Sequence, residues 1–311
     1  MSEQFKNIGI FWEQEEWGGV DSYLLNLINS SSFEKKNIVI FSNKNNKGIQ
    51  RIYKNLNNDK VKVVNFFSFN LISSKYLFFR LIINIIKPIL FLLSIFQAYM
   101  LMKKYKFDVF MGQCGGYGNF RSEMASIFAA KILKFPVRSL VIHHCCARPI
   151  FWTTFLNIIN NLLSKYLTSV ISVSKATRDS VFYKSNLLDR QSSLKDAVIY
   201  NGVSQIYRND SFKDLNSIFK KKNKDILNIG MISRIESYKG QLDLIEGFAK
   251  LKLEDREKLN VFFIGQGDNM EVKKLKDMLV LKKIEKYFTF TGYLDYESSS
   301  IPSHLDLLIS L

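Results

Sequence analysis

Ile226 to Gly240, reading Ile-Leu-Asn-Ile-Gly-Met-Ile-Ser-Arg-Ile-Glu-Ser-Tyr-Lys-Gly, is the stretch that decides how this 311-residue chain folds. It opens as a short apolar run between lysines and a Ser-Arg break, the pattern of a buried strand in a parallel sheet. From Gln241 onward, Leu242, Leu244, Ile245, Phe248, Ala249 and Leu251 mark one face of an amphipathic helix. Arg234 and Lys239 stand between the two, at the carboxyl end of the strand, where open α/β sheets bind ligands. Two fixed cations in that place predict an anion site.

A second apolar strand, Leu259 to Ile264, runs into Gly265-Gln266-Gly267-Asp268 and another helix, and a third ends in Phe290-Thr291-Gly292. Glycines let backbone approach a phosphate closely, and a helix amino terminus offers it free N–H groups. One Gly-x-Gly says little; Arg-x4-Lys-Gly, Gly-x-Gly and Thr-Gly after successive strands say more. Together with Asn201-Gly202-Val203 before them and Leu305 to Leu311 after them, these motifs resemble the donor-binding domain of glycosyltransferase family 4.

The resemblance is colinear from about Gly9 to the last residue. It implies an α/β chain of the GT-B fold, two Rossmann-like doubly wound domains facing a cleft. Residues 1–200 would be the acceptor-side domain and residues 201–311 a partial nucleotide-sugar (donor) domain. By resemblance Arg234 and Lys239 grip the diphosphate of a UDP- or GDP-sugar, with Gly265, Gly267 and Gly292 in the donor-domain loops. The resemblance implies retaining transfer, and because fixed cations and glycine-loop N–H groups can neutralise the leaving diphosphate, no cofactor and no metal are expected; the chain has no Asp-x-Asp metal motif.

In the first half, Asn7 to Trp12 reads as a strand leading through Trp17-Gly18-Gly19-Val20 into a helix near Asp21. Gly-Gly alone signals only a tight turn. The resemblance sets Gly18 and Gly19 beside the donor phosphates and the acceptor, and Trp17 either stacks on a sugar or packs. Ile38 to Phe41, Val61 to Phe67 and Phe107 to Met111 read as further strands, the last ending in a loop holding Gly112, Gly115, Gly116 and Gly118. Val137 to Ile142 is another strand, followed by His143 and His144. Adjacent residues of a strand point to opposite faces, so at most one of the two lines the site. The resemblance implies that a histidine here contacts the sugar near the reacting carbon. Sequence leaves the register open, with His144 favoured over His143. Ser174 reads as a helix cap.

Charge separates the halves. Residues 1–200 hold 26 Lys/Arg against 12 Asp/Glu, whereas residues 201–311 hold 18 against 16. A basic first half predicts an anionic partner, a membrane surface or nucleic acid. Nucleic acid ranks last, because no aromatics interleave a basic stripe and no binding module is recognisable. Leu81 to Met102 is long and apolar enough for a span, with 17 of 22 residues apolar, but Asn84, Lys87, Pro88, Ser94 and Gln97 interrupt it. Pro88 is expected to break or kink a helix. A buried crossover helix and a helix pair at the bilayer interface are the competing readings. Cys114, Cys145 and Cys146 make neither a metal pattern nor an even disulfide set, which suits a reducing cytoplasm. The amino terminus reads as no signal peptide.

The family carries Glu-x7-Glu just beyond the strand that Leu307 to Leu311 represents, and this sequence stops first. Glu246 and Glu254 fit the spacing but fall after Lys239, and read as a decoy. The sequence therefore resembles an enzyme truncated before its acidic motif. The expected function is sugar transfer from a nucleotide-diphosphate sugar to a lipid-linked or polysaccharide (glycan) acceptor, in cell-surface polysaccharide biosynthesis. The expected place is the inner face of the cell membrane, peripherally attached to its anionic surface. The alternative is a non-catalytic remnant that keeps an anion pocket.

Overall fold

The computed structural model describes residues 5–15, 18–56, 58–69, 77–118, 120–147, 152–188, 194–202, 213–220, 225–294 and 301–310. The chain divides into two compact units, Met1–Ser204 and Gln205–Leu311.

In unit 1 strands and helices alternate. They are β1 (Asn7–Trp12), α1 (Gly19–Ile28), β2 (Asn37–Asn43), α2 (Ile49–Lys54), β3 (Val61–Phe66), α3 (Leu77–Met102), β4 (Val109–Cys114) and α4 (Ser122–Ile132). There follow β5 (Val137–Ile142), α5 (Thr153–Tyr166), β6 (Ser169–Ser172), α6 (Lys175–Lys184) and β7 (Lys195–Val198). All seven strands are parallel, in the order β3-β2-β1-β4-β5-β6-β7. The order reverses between β1 and β4, so these two carboxyl ends flank a crevice of the kind that receives ligands in doubly wound sheets. Near-continuous apolar runs build the central strands because helices cover both sheet faces. Ile8, Ile10 and Trp12 of β1 pack with Leu24 and Ile28 on one side, while Phe11 and Phe110 join the larger cluster on the other.

α3 runs unbroken through Pro88, against the expected break. A proline inside a helix leaves the carbonyl four residues earlier without its N–H partner. That carbonyl belongs to Asn84, and the indole Nε1–H of Trp152 donates to it at 2.8 Å. Trp152 takes a left-handed φ of 63° just before α5 to do so. The inner stripe of α3, Phe91, Ser94, Ala98 and Met102, is buried, and the helix packs on α4. Ile85, Ile89, Leu92 and Phe96 on the opposite stripe are each 58–65% exposed, so the helix is apolar on both sides.

Unit 2 contains α7 (Lys213–Ile218), β8 (Leu227–Ile232), α8 (Gln241–Ala249), α9 (Leu253–Arg256), β9 (Leu259–Ile264), α10 (Asn269–Leu281), β10 (Phe288–Gly292) and β11 (Leu307–Leu308). Its sheet is parallel, ordered β10-β9-β8-β11. The order reverses at β8, so the loop leaving β8 opens beside a second switch point. Ile229, Met231, Ile245, Val261, Phe263 and Phe288 form its core.

Candidate functional site

The loop from Ser233 to Gly240 is fixed by backbone before any ligand is considered. Ser233 N donates to Ile264 O and Ile235 N to Gln266 O, at 3.1 and 2.8 Å. Gln241, buried at the start of α8, donates through Nε2 to Ser233 Oγ and to Arg234 O. These bonds tie the loop after β8 to the turn after β9. Both glycines of that turn are required by the contact. Gly265 has φ +147°, and a Cβ on it would lie 2.1 Å from Ser233 O; a Cβ on Gly267 would lie 2.5 Å from that of Ile235. Gly265 N in turn donates to Gly292 O at 2.9 Å, which brings the end of β10 to the same edge. Asp268 caps α10 by accepting from Met270 N.

Arg234 and Lys239 therefore share one loop at the carboxyl edge of the sheet, anchored at Ser233–Ile235, with Gly265, Gly267 and Gly292 beside it. Sequence reasoning did not see how the two cations are occupied. Arg234 Nη1 lies 3.1 Å from Glu236 Oε1. Lys239 places Nζ over the ring of Tyr238, 5.2 Å from its centroid, and its N–H donates to Glu236 O. Glu236 Oε2 is buried without a partner among the described residues. Glu246 and Glu254 are both exposed and sit on successive helices, α8 and α9, away from this edge.

The second cluster lies in unit 1. Gly18 is the N-cap of α1, its N–H donating to Asp21 Oδ2, and Gly19 is the first helical residue with open space around it. Trp17 lies outside the described residues. Burial pushes the Asp21 carboxyl up to about 7. Both histidines follow β5 rather than lying in it, so strand alternation does not sort them. Burial does. His143 is buried, its Nε2–H donating to Gln113 Oε1 at 2.9 Å, with Tyr23 edge-on at 4.8 Å. Burial, then the charge of His144, lowers its pKa to about 4, so it is neutral near pH 7. His144 is exposed, and a side chain on Gly116 would begin 4.0 Å from its Cβ.

Two buried carboxylates that sequence reasoning missed close this edge. Glu13, just past β1, accepts from the hydroxyls of Ser68 and Ser122 and from Ser122 N. Glu123 Oε1 accepts from Glu13 N, and burial together with the Glu13 charge raises its pKa to about 8. The available signal was an acidic residue directly after an apolar strand, and another in the first turn of an apolar helix. Ser174 caps α6 as expected, accepting from Thr177 N at 3.1 Å. Of the Asn201-Gly202-Val203 motif, Gly202 O accepts from Asn26 Nδ2, and Val203 lies outside the described residues.

Known proteins share this architecture. A glycosyltransferase from Rickettsia africae superposes with a TM-score of 0.68 at 17% identity, over 99% of this chain and 73% of its own. HepE of Anabaena in complex with UDP gives 0.65 at 17% identity, over 97% and 73%. An uncharacterized glycosyltransferase of Methanocaldococcus jannaschii is 25% identical over 236 residues, 72% of this chain. The chain spans 56% of the length of that curated relative. Residues 212–308 match the family described as Glycosyl transferases group 1. The fold is thus that of the GT-B glycosyltransferases, and residues 212–308 carry the likeness to the group 1 glycosyl transferases.

Proposed function

We propose that the chain is a glycosyltransferase, moving a sugar from a nucleoside-diphosphate sugar to a lipid-linked or polysaccharide acceptor. The observation that carries this reading is the convergence of Arg234, Lys239 and the Gly265–Gly267 turn on one loop edge of the unit 2 sheet. HepE, which shares the fold, binds UDP and UDP-glucose. UDP or GDP is the leaving group we assign here. Negative charge develops on the departing diphosphate, and the cations and N–H groups of this edge stabilise that charge electrostatically. We read the transfer as retaining, the acceptor hydroxyl entering on the face the diphosphate leaves and a phosphate oxygen taking its proton. His144, exposed at the end of β5, and His143, held by Gln113, are the candidate sugar contacts.

Arg234→Ala or Lys239→Ala is expected to weaken UDP or GDP binding by about 1–3 kcal/mol, the range for losing a charge-assisted hydrogen bond. Calorimetric titration of parent and variants checks this, and equal affinities would remove the central assignment.

We place the reaction on the cytoplasmic face of the cell membrane. The exposed stripe of α3 and the lysines after it, Lys103, Lys104 and Lys106, support a peripheral seat in an anionic interface. Alkaline or high-salt washing of membranes is expected to release at least part of the protein. Release by detergent alone would make α3 a span.

A further inference from the structure

The loop that carries Arg234 and Lys239 also supplies the partners of both cations. Of its two cations, Arg234 is bridged to Glu236 at 3.1 Å and Lys239 rests over Tyr238. Both partners come from the same six residues that supply the cations, in the order Arg-Ile-Glu-Ser-Tyr-Lys. The bridge is built to yield. Arg234 and Glu236 are 52% and 29% exposed, and ion pairs so open to water add little stability. Glu236 Oε2 makes no hydrogen bond of its own among the described residues, while the Glu236 carboxylate lies against the Tyr238 hydroxyl and raises its pKa. The backbone from Ser233 to Ile235 does not depend on the bridge, since bonds from Ser233, Ile235 and Gln241 fix it.

We propose that Glu236 is an internal counter-ion that competes with the incoming diphosphate for Arg234, and so sets the affinity of the donor site. This rests on the assignment of Arg234 to the diphosphate. An arriving diphosphate must take the guanidinium from Glu236 and then tolerate a carboxylate a few ångströms away. Both terms lower affinity, the first by an exposed ion pair and the second by like-charge repulsion weakened by solvent.

The test is titration of UDP into the full chain as parent, Glu236→Gln, Glu236→Asp, Arg234→Ala and the double variant Arg234→Ala/Glu236→Gln. Glu236→Gln keeps the shape and removes the charge, and is expected to bind UDP about 3- to 10-fold more tightly. Glu236→Asp, which keeps the charge, should stay near the parent. The gain from Glu236→Gln should shrink at least by half in the Arg234→Ala background, where there is no guanidinium to release. If Arg234→Ala weakens UDP binding while Glu236→Gln leaves it unchanged or weaker, the counter-ion role is wrong and Glu236 orients Arg234 or touches the nucleotide. If Arg234→Ala binds UDP as the parent does, the diphosphate assignment falls, and the counter-ion role with it.

Discussion

Gly265→Ala is expected to lower the stability of unit 2 by about 3 kcal/mol or more and to abolish nucleotide binding. The residue sits at φ +147°, and the new Cβ would lie 2.1 Å from the carbonyl oxygen of Ser233, a backbone atom held in place by the Ser233 N bond to Ile264 O. Backbone strain of this kind costs about 1–3 kcal/mol, and the clash adds to it. Relief requires the loop after β8 to leave the turn after β9, which takes Arg234 away from the glycines. Gly19→Ala is the matched control. Gly19 begins α1 with nothing within 4 Å of its would-be Cβ, so alanine there is expected to be neutral or slightly stabilising. Thermal unfolding and limited proteolysis of the two variants check the contrast, and parental behaviour of Gly265→Ala would mean the two loops are not in contact.

The second large effect is on pH. Glu123 is held toward its protonated form in the folded chain, with a pKa of about 8 against an ordinary 4.5. Between those values the folded state binds more protons than the unfolded one, so stability falls as pH rises. One proton gives a slope of about 1.4 kcal/mol per pH unit. Asp21, raised from 3.8 to about 7, acts in the same direction. His143 acts in the opposite one: lowered to about 4, it adds stability as pH rises from 4 to 6.5. The loss is therefore expected to be steepest between about pH 6.5 and 7, above the histidine's window and inside both carboxyl windows. Glu123→Gln should flatten roughly half of the slope in denaturant midpoints measured from pH 5 to 8. A variant as pH-dependent as the parent would contradict the buried carboxyl.

Much of the fold is legible because it follows from local pattern. The apolar runs of β1, β5, β8 and β9, each followed by a turn and an amphipathic helix, announce a doubly wound sheet without any long-range information. β7 is not announced, since Lys-Asp-Ala-Val at an exposed sheet edge offers no apolar run or clean alternation. That α3 continues past Pro88 is hidden from the sequence for a related reason. The bond that rescues the helix comes from Trp152, 68 residues away, and no local rule can foresee it. The site divides along the same line. Arg234, Lys239 and the glycines are read from strand-end position, which is local. The Glu13–Glu123 pair joins residues 110 apart, and the Glu236 bridge spans two residues of an irregular loop with no periodicity to reveal it. The different burial of His143 and His144 arises beyond the end of β5, where strand alternation stops applying.

The indole bond to Asn84 also makes α3 an optically addressed element. Trp12 is sealed in the core and Trp152 is 41% exposed with its N–H on the helix backbone. In a Trp17→Phe background, emission that responds to the surroundings therefore comes chiefly from Trp152. Vesicles that seat the outer stripe of α3 would move a fluorophore wired to that helix from water toward hydrocarbon. A blue shift of its emission would then report the docking of the protein in real time, with no label attached.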